Sequence, residues 1–192
     1  MSDKIISLLD YGISNIKSLS NALNKIGVNH EIIQNLNNTE NSKVLIIPGV
    51  GSFPKAISIL KEKEIFSQIQ SYAKSKKPIL GICLGMQSIA EFFGGKLRNL
   101  KKVKHGVSSM CEIVEVDSIY KNIPKNFEVG HYHSWVVDIK SLPTCFNVTS
   151  VNNEGLIMSI SHKNLDIKGV QFHPESILTF YGKQIIKNWL FS

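Results

Sequence analysis

Several features are missing from the sequence, and each absence excludes a class of protein. No segment reaches the roughly 18 apolar residues that a membrane-spanning helix needs, and the N-terminus has no cleavage signature. The three cysteines, Cys83, Cys111 and Cys145, form no closely spaced pair that would indicate a disulfide framework or a zinc knuckle. Internal repeats and linkers are also missing. We therefore predict a single domain over residues 1–192, without a membrane partner, in the cytoplasm.

Arginine is scarce, although the chain carries a net charge of +7. Nearly all of the basic residues are lysines, and Arg98 is the only arginine. Arginine is the side chain that best recognises phosphate and guanine through two parallel hydrogen bonds. The densest basic stretch, residues 96–104, also lacks interleaved aromatic side chains. We therefore expect no nucleic-acid partner, and we attribute the charge to a solvated lysine surface or an acidic protein partner.

The first half of the chain alternates apolar runs with helical patterns. Apolar runs predict buried strands at residues 5–9, 44–47 and 79–82, and we predict a short strand at residues 30–33. Apolar residues at helical spacing predict a helix from about Ile13 to Ile26, which Gly27 ends, and others at residues 54–60, 65–75 and 86–93. Continuous apolar strands separated by helices are typical of a parallel sheet covered on both faces. The predicted fold class is therefore α/β.

The second half has a different pattern. Short alternating segments predict antiparallel strands at residues 111–116, 127–129, 135–139, 146–150 and 156–160. A buried strand at residues 169–172 and a helix at residues 180–190 complete the prediction.

Three distinctive turns follow predicted buried strands: PGVG at 48–51, GICLG at 81–85 and HPE at 173–175. Ligands collect at the carboxyl ends of strands in an open α/β sheet, so these turns could form one site.

Cys83 is the candidate nucleophile. Glycines two residues before and two residues after it form the pattern of a nucleophile elbow, a tight turn from a strand into a helix where larger residues would clash. A helix that begins at Leu84 would direct its free amides at the sulfur and favour the thiolate. The alternative for Cys83 is a small buried hydrophobe. Cys111 and Cys145 have no flanking glycines, and we interpret both as structural.

His173 is the candidate base, because it follows a buried strand and could face the same crevice as Cys83. Glu175 could accept the imidazole N–H of His173 and fix its tautomer, which would complete a triad by role. A zinc site built from Cys83, His173 and Glu175 is a weaker alternative, because these residues match no familiar closed ligand set.

The segments ILGICLGMQ and GVQFHPES resemble the glutaminase domain of the class I, triad-type glutamine amidotransferases, whose pattern covers nearly the whole chain. The resemblance implies a flavodoxin-like fold, with a mainly parallel central sheet flanked by helices and a small antiparallel sheet. It also implies that Cys83 attacks the side-chain amide of L-glutamine, that His173 transfers the proton and that Glu175 orients His173. No metal or other cofactor is implied.

The resemblance also implies a set of substrate contacts. The matching positions are Gly49, Val50 and Gly51 in the PGVG turn, Leu84 and Gln87 beside the elbow, and Ser134 and Trp135 in HYHSW. A turn amide and the Leu84 N–H would stabilise the oxyanion. Because Val50 has an N–H that proline would lack, we hypothesise that its amide must rotate toward the oxyanion, which keeps activity low until a synthase binds. The alternatives are an exposed helix residue for Gln87 and a core aromatic for Trp135.

The two halves resemble different members of the family. From Gly94 onward, FGGK, FEVGHYHSWVV and HKNLDIKGVQFHPESILT resemble the small subunit of anthranilate synthase and that of aminodeoxychorismate synthase. The segments LDYGISNIKSLSNAL and IIPGVGSFPKAISIL, together with Met86, instead resemble the glutaminase subunit of imidazole glycerol phosphate synthase. We favour a chorismate-using synthase as the partner, because the match in the second half of the chain, to the anthranilate and aminodeoxychorismate synthase subunits, is the longer of the two. A cyclase partner, a stand-alone hydrolase of γ-glutamyl peptides and an inactive regulatory subunit are the alternatives.

Overall fold

Strands and helices alternate along the residues that the computed structural model describes, which are 5–12, 15–37, 42–49 and 53–191. The strands are β1 (Ile5–Leu9), β2 (His30–Ile33), β3 (Ser42–Ile47), β4 (Ile79–Ile82), β5 (Leu97–Ile113), β6 (Asn126–Val137), β7 (Phe146–Asn152), β8 (Ile157–His162) and β9 (Ile167–Val170). The helices are α1 (Ile16–Lys25), α2 (Phe53–Glu62), α3 (Ile65–Lys74), α4 (Leu84–Phe92) and α5 (Gly182–Leu190). Within these ranges no helix is long and apolar enough to cross a membrane.

The strands form one continuous mixed sheet in the order β2-β1-β3-β4-β9-β8-β7-β5-β6. The pairs from β2 to β9 are parallel, and the pairs from β9 to β6 are antiparallel. The parallel part has the strand order of flavodoxin-like folds, and the predicted α/β class is confirmed. The antiparallel strands are not a separate small sheet, however, because β8 pairs directly with β9, where Ser159 lies opposite Val170.

The parallel strands are buried on both faces. Successive residues of β3 illustrate this, because Val44 and Ile46 belong to one core cluster and Leu45 and Ile47 to the other. The first cluster also contains the apolar residues of α1 and α5, and the second contains those of α2, α3 and α4. Helices therefore cover both faces, as the continuous apolar runs predicted. Each fully buried Leu or Ile contributes about 1.5–3 kcal/mol to the burial free energy.

The hairpin of β5 and β6 differs most from the prediction. We predicted no strand at residues 96–104 and two separate strands between residues 127 and 139, whereas β5 begins at Leu97 and β6 is continuous from Asn126 to Val137. Most of β5 is exposed, and its pairing with β6 has two irregularities. An exposed strand with bulges lacks the strict apolar alternation on which the prediction depends. Helix α1 begins at Ile16, and Ile13, where we predicted its start, lies outside the described residues.

Candidate active site

The ends of β4 and β9 bring two of the predicted turns together. The two strands are neighbours and parallel, with Ile82 opposite Val170. The chain then continues into Cys83 on one side and toward His173 on the other, and the Cys83 N–H donates to the Val170 carbonyl at 2.7 Å. The parallel register therefore places the Cys83 turn and the His173 turn at the same edge of the sheet.

Cys83 occupies a sharp break between β4 and α4. Its backbone has φ 53° and ψ −105°, which is rarely populated by residues with a side chain, and such strain costs on the order of 1–3 kcal/mol. A Cβ at Gly81 would lie 2.6 Å from the carbonyl carbon of Gly85, and a Cβ at Gly85 would lie 1.8 Å from the carbonyl oxygen of Ile47. Both elbow positions therefore require glycine, as the spacing predicted. Cys83 is only 2% exposed and directly precedes the first turn of α4.

The turn after β3 packs against the elbow. A Cβ at Gly49 would lie 2.5 Å from Cβ of Leu84 and 2.4 Å from the hydroxyl of Tyr11. Tyr11 is fully buried, and its hydroxyl donates to the carbonyl of Pro48 at 2.9 Å. Burial, with smaller contributions from Cys83 and Asp10, raises the pKa of Tyr11, so the phenol remains a neutral donor. Two of the predicted substrate contacts, Val50 and Gly51, lie outside the described residues.

His173 and Glu175 form a buried pair. The Nδ1–H of His173 donates to Oε1 of Glu175 at 2.7 Å, and the two side chains are 4% and 8% exposed. This bond fixes the tautomer and leaves Nε2 as the second nitrogen. Nε2 is buried and accepts or donates no hydrogen bond within the described residues. The ring of Tyr132 contacts the imidazole edge to face, with centroids 5.2 Å apart.

Charge around His173 favours the imidazolium. Burial by itself would lower the pKa of His173, but the nearby Cys83 sulfur and the Glu175 carboxylate outweigh burial and raise the pKa to about 10. Cys83, at the end of β4, is thus one of the two groups that raise the pKa of His173, which follows β9. With its pKa raised in this way, His173 carries a positive charge at neutral pH. Within the described residues no cluster of three or more His, Cys, Asp or Glu could hold a metal ion.

The turn that carries His173 is fixed to the neighbouring elements. The His173 N–H donates to the carbonyl of Gly130 at 3.2 Å, and the Thr179 hydroxyl donates to the carbonyl of His173 at 2.7 Å. Helix α5 packs closely against the same turn, because a Cβ at Gly182 would lie 1.9 Å from the carbonyl oxygen of Pro174. The imidazole is therefore held by β6 and α5 as well as by its own strand.

Gln87 is buried within α4 at 2% exposure, so it is not the exposed helix residue of the alternative interpretation. Its Nε2 donates to the carbonyl of Trp135 at 2.6 Å and to Oε1 of Gln171 at 3.0 Å. Gln171 in turn directs its Nε2 at the sulfur of Cys83, 3.6 Å away. These bonds connect β6 to the nucleophile through two glutamines.

A cavity of about 810 Å³ opens beside the buried pair. His173 and Glu175 line it, together with Ser134 of β6 and side chains from α1 and β5. Trp135 is half-buried, and its ring contacts Phe53 with centroids 5.7 Å apart. The structure thus places Ser134 at the cavity, while the Trp135 carbonyl faces Gln87.

Two residues at this site were missed by the sequence analysis, Tyr11 and Gln171. Tyr11 follows β1, and Gln171 follows β9 directly, so both lie at the carboxyl ends of strands where ligands collect. Their position near the end of a predicted strand was the sequence signal that could have identified them as site residues. The sequence analysis singled out neither residue: Tyr11 lies between a predicted strand and a predicted helix, and Gln171 lies in the strand predicted at residues 169–172, which ends at Val170 in the structure.

Two further histidines of β6, His131 and His133, are buried without charge. Burial, with the charge of Lys104, lowers the pKa of His131 to about 4, and burial, with the neighbouring His131, lowers the pKa of His133 to about 3. The unfolded chain binds these protons near pH 6.5. The stability that depends on neutral histidines is therefore fully present above pH 6.5 and is lost as the pH falls through 4.

We expect the free energy of unfolding to fall by about 3 kcal/mol on account of His131 alone between pH 7 and pH 4. Denaturant unfolding at a series of pH values measures this loss. The His131→Gln variant should lose less stability over the same range, whereas the exposed His105→Gln variant should lose as much as the unsubstituted protein. A free energy of unfolding that stays constant from pH 7 to pH 4 would contradict the prediction.

Comparison with protein families gives a match over nearly the whole chain. Residues 7–192 match the family described as class-I glutamine amidotransferase. A Haemophilus influenzae protein named as a candidate anthranilate synthase component II is 36% identical over 178 residues, which cover 90% of this chain and 89% of that protein. The aminodeoxychorismate/anthranilate synthase component 2 of Bacillus subtilis is 44% identical over 115 residues, which cover 60% of this chain and 59% of the relative.

Solved structures give the same fold at lower sequence identity. A Thermoplasma acidophilum protein, described as a candidate GMP synthase subunit, superposes with a TM-score of 0.85 at 22% identity. The superposition covers 99% of this chain and 94% of that structure. At this level of identity the likeness concerns the fold, and it extends across the parallel and the antiparallel parts of the sheet.

Proposed function

Because the chain belongs to the class-I glutamine amidotransferase family, we propose that it is the glutaminase subunit of a chorismate-using synthase. Membership of this family makes it an enzyme. The observation that carries the choice of synthase is the match to the candidate anthranilate synthase component II, because it spans nearly the full length of both proteins. The Bacillus relative, whose name covers aminodeoxychorismate and anthranilate synthase, supports the same choice. The imidazole glycerol phosphate alternative has no support in these matches.

In the proposed first step, the thiolate of Cys83 attacks the carbonyl carbon of the glutamine side-chain amide. A C–S bond forms, and the carbonyl oxygen becomes an oxyanion. His173, as imidazolium, gives its Nε2 proton to the amide nitrogen while the C–N bond breaks. Ammonia leaves and a glutamyl thioester remains on Cys83. The raised pKa of His173 supports this step, because the proton donor is already charged at neutral pH.

In the second step, water hydrolyses the thioester. Neutral Nε2 of His173 takes a proton from the attacking water, the C–S bond breaks, and glutamate leaves with the Cys83 thiolate restored. Glu175 accepts the Nδ1–H of His173 throughout, so that the imidazole keeps its orientation. One glutamine and one water thus give one glutamate and one ammonia, which passes to the synthase.

The proposed substrate contacts surround the elbow. The Leu84 N–H at the start of α4 would donate to the oxyanion together with an amide of the turn that contains Gly49, Val50 and Gly51. The close approach of Gly49 to Leu84 supports a shared oxyanion site. We assign Gln87, Ser134 and the Trp135 backbone to glutamine, and the position of Ser134 at the cavity supports this assignment.

We propose that a synthase large subunit is the protein partner and that activity is low without it. The burial of Cys83 supports this, since the residue is only 2% exposed and glutamine can reach its sulfur only after a local opening. A cytoplasmic location belongs to the same proposal, because all three cysteines are free, as expected in a reducing compartment.

The experiment is to mix the chain separately with three proteins and to measure ammonia release from glutamine. The proteins are an anthranilate synthase large subunit, an aminodeoxychorismate synthase large subunit and an imidazole glycerol phosphate cyclase. We expect one of the two chorismate-using subunits to increase kcat by at least about tenfold, because partner binding shifts the population of the active conformation.

The same experiment distinguishes the alternatives. Stimulation by the cyclase alone would contradict the proposed partner. Equal activity with and without every partner would instead support a stand-alone hydrolase, and no activity in any mixture would support an inactive subunit. Cys83→Ala in the stimulated mixture is the blank for ammonia from other sources.

A further inference from the structure

We propose that Gln171 stabilises the thiolate of Cys83 by donating a side-chain N–H to the sulfur. Gln171 is fully buried directly after β9, and its Nε2 lies 3.6 Å from Sγ of Cys83, within hydrogen-bond distance for sulfur. The contact joins residues 88 positions apart. Gln171 would thus act as a neutral group beside the ionisable residues Cys83, His173 and Glu175.

The direction of this hydrogen bond follows from the bonds behind it. A backbone carbonyl only accepts, so the atom of Gln87 that lies 2.6 Å from the Trp135 carbonyl must be its amide nitrogen. The same nitrogen faces Gln171, which must therefore present its oxygen, at 3.0 Å. With its oxygen engaged by Gln87, the Gln171 amide can direct only its nitrogen at the sulfur.

The Trp135 carbonyl is itself held by a row of side chains on β6 and β5. Nδ1 of His133 lies 3.1 Å from this carbonyl and must carry the proton. Nε2 of His133 then accepts from Nδ1 of His131 at 3.2 Å, and Nε2 of His131 accepts from the Ser109 hydroxyl at 2.7 Å. Each group in the row has one consistent role when both histidines are neutral.

The groups that face this row come from several elements. Lys104 of β5 and His173 after β9 oppose a positive charge on His131, while Glu154, which pairs with Lys104, acts in the opposite direction. The row is consistent with neutral histidines. The neutral histidines hold the Trp135 carbonyl in place as the acceptor for the Gln87 amide. The Gln171 amide is thus preoriented, and it does not need to reorganise when Cys83 becomes charged.

A fixed donor favours the charged sulfur over the neutral thiol, because a hydrogen bond to the ionised form stabilises that form. Because Gln171 has no ionisable proton to exchange with the substrate, its side chain remains a neutral donor throughout the reaction. If the chain has the proposed function, the Gln171 amide also stabilises Cys83 as the leaving thiolate when the thioester is hydrolysed.

Alkylation of Cys83 tests the proposal without glutamine or a synthase. The rate of modification by iodoacetamide, a small neutral reagent, is measured against pH from the mass of the Cys83 peptide. We expect Gln171→Met, which keeps the length but removes the amide, to raise the pH midpoint by about one unit. Below the midpoint, the variant should therefore react about tenfold more slowly. Gln171→Glu should shift the midpoint in the same direction, because it keeps the acceptor for Gln87 but removes the donor.

Gln184→Met is the matched control, since Gln184 lies exposed on α5 and bonds only to Asn188 among the described side chains. Its midpoint should equal that of the unsubstituted chain. An unchanged midpoint in a folded Gln171→Met variant would overturn the proposal. Because the readout needs no substrate, the proposal can hold even if the chain acts on a molecule other than glutamine.

Nuclear magnetic resonance provides a second measurement if the Gln171 variants do not fold. The side-chain NH₂ of Gln171 in the unsubstituted protein should change its chemical shift as Cys83 ionises, with the midpoint of the alkylation profile. The change should be absent in Cys83→Ala. A Gln171 signal that does not respond over that pH range would overturn the proposal.

Discussion

Cys83→Ala is expected to abolish product formation from glutamine while leaving product formation from ammonium salts intact. The loss with glutamine should exceed about a thousandfold, because Cys83 is the nucleophile proposed to form the thioester. Ammonium salts supply ammonia to the synthase directly and bypass Cys83. The measurement is the rate of product formation by the stimulated complex with each nitrogen source. The rate with glutamine divided by the rate with ammonium salts should fall by more than about a thousandfold.

The substitution is mild for the fold. Alanine retains Cβ, so the backbone at φ 53° carries the same strain as before, and Gly81 and Gly85 remain in place. Cys145→Ala is the matched control, because Cys145 is a half-buried cysteine that packs in the second core cluster, outside the candidate site. It should retain both rates. Loss of the rate with ammonium salts as well as with glutamine in Cys83→Ala would mean that Cys83 serves the structure of the complex rather than its chemistry.

His173→Ala should cause a loss similar to that of Cys83→Ala, and Glu175→Ala should cause a loss that is at least about tenfold smaller. His173 transfers the proton in both steps, whereas Glu175 orients the imidazole and supports its charge. Without Glu175, the pKa of His173 should fall from its raised value of about 10. The alkaline limb of the pH–rate profile should therefore move to lower pH in Glu175→Ala.

The control for Glu175→Ala is Glu128→Ala, which removes an exposed carboxylate of β6. It should leave both the rate and the pH profile unchanged. Equal losses in the Glu175 and Cys83 variants would contradict the division of roles, and so would an alkaline limb that stays in place. Ammonia release by the stimulated complex from pH 6 to pH 10 provides the rate and the profile together.

The elbow shows how far local sequence can predict a site. Two glycines at fixed offsets from Cys83 predicted a tight turn, and the structure places backbone atoms where their Cβ atoms would lie. The HPE turn after a buried strand likewise predicted a histidine and a glutamate in contact, and their atoms lie 2.7 Å apart. Both predictions depend on residues within a few positions of one another, where turn chemistry has direct consequences.

Long-range polar contacts were not predictable in this way. Gln87, Gln171 and the Trp135 carbonyl meet across separations of 48 and 84 positions. No pattern of apolar residues encodes which buried amide faces which carbonyl, because periodicity reports only the face on which a residue lies. The buried histidine row on β6 was missed for the same reason, since it belongs to a hairpin whose exposed partner strand has little apolar alternation.

By itself the sequence determined the α/β class, the elbow at Cys83 and the His173–Glu175 turn, because these follow from apolar runs and from residues close together in the chain. Only the tertiary structure decided that β4 and β9 are adjacent and parallel, with Ile82 opposite Val170. That register places Gln171 beside the sulfur of Cys83 and the His173 turn at the same edge of the sheet. The pairing of β8 with β9 joins the parallel and antiparallel strands into one sheet. The physical reason is that strand order and the pairing of buried polar groups are settled by packing among distant segments, where most buried donors and acceptors have a hydrogen-bond partner.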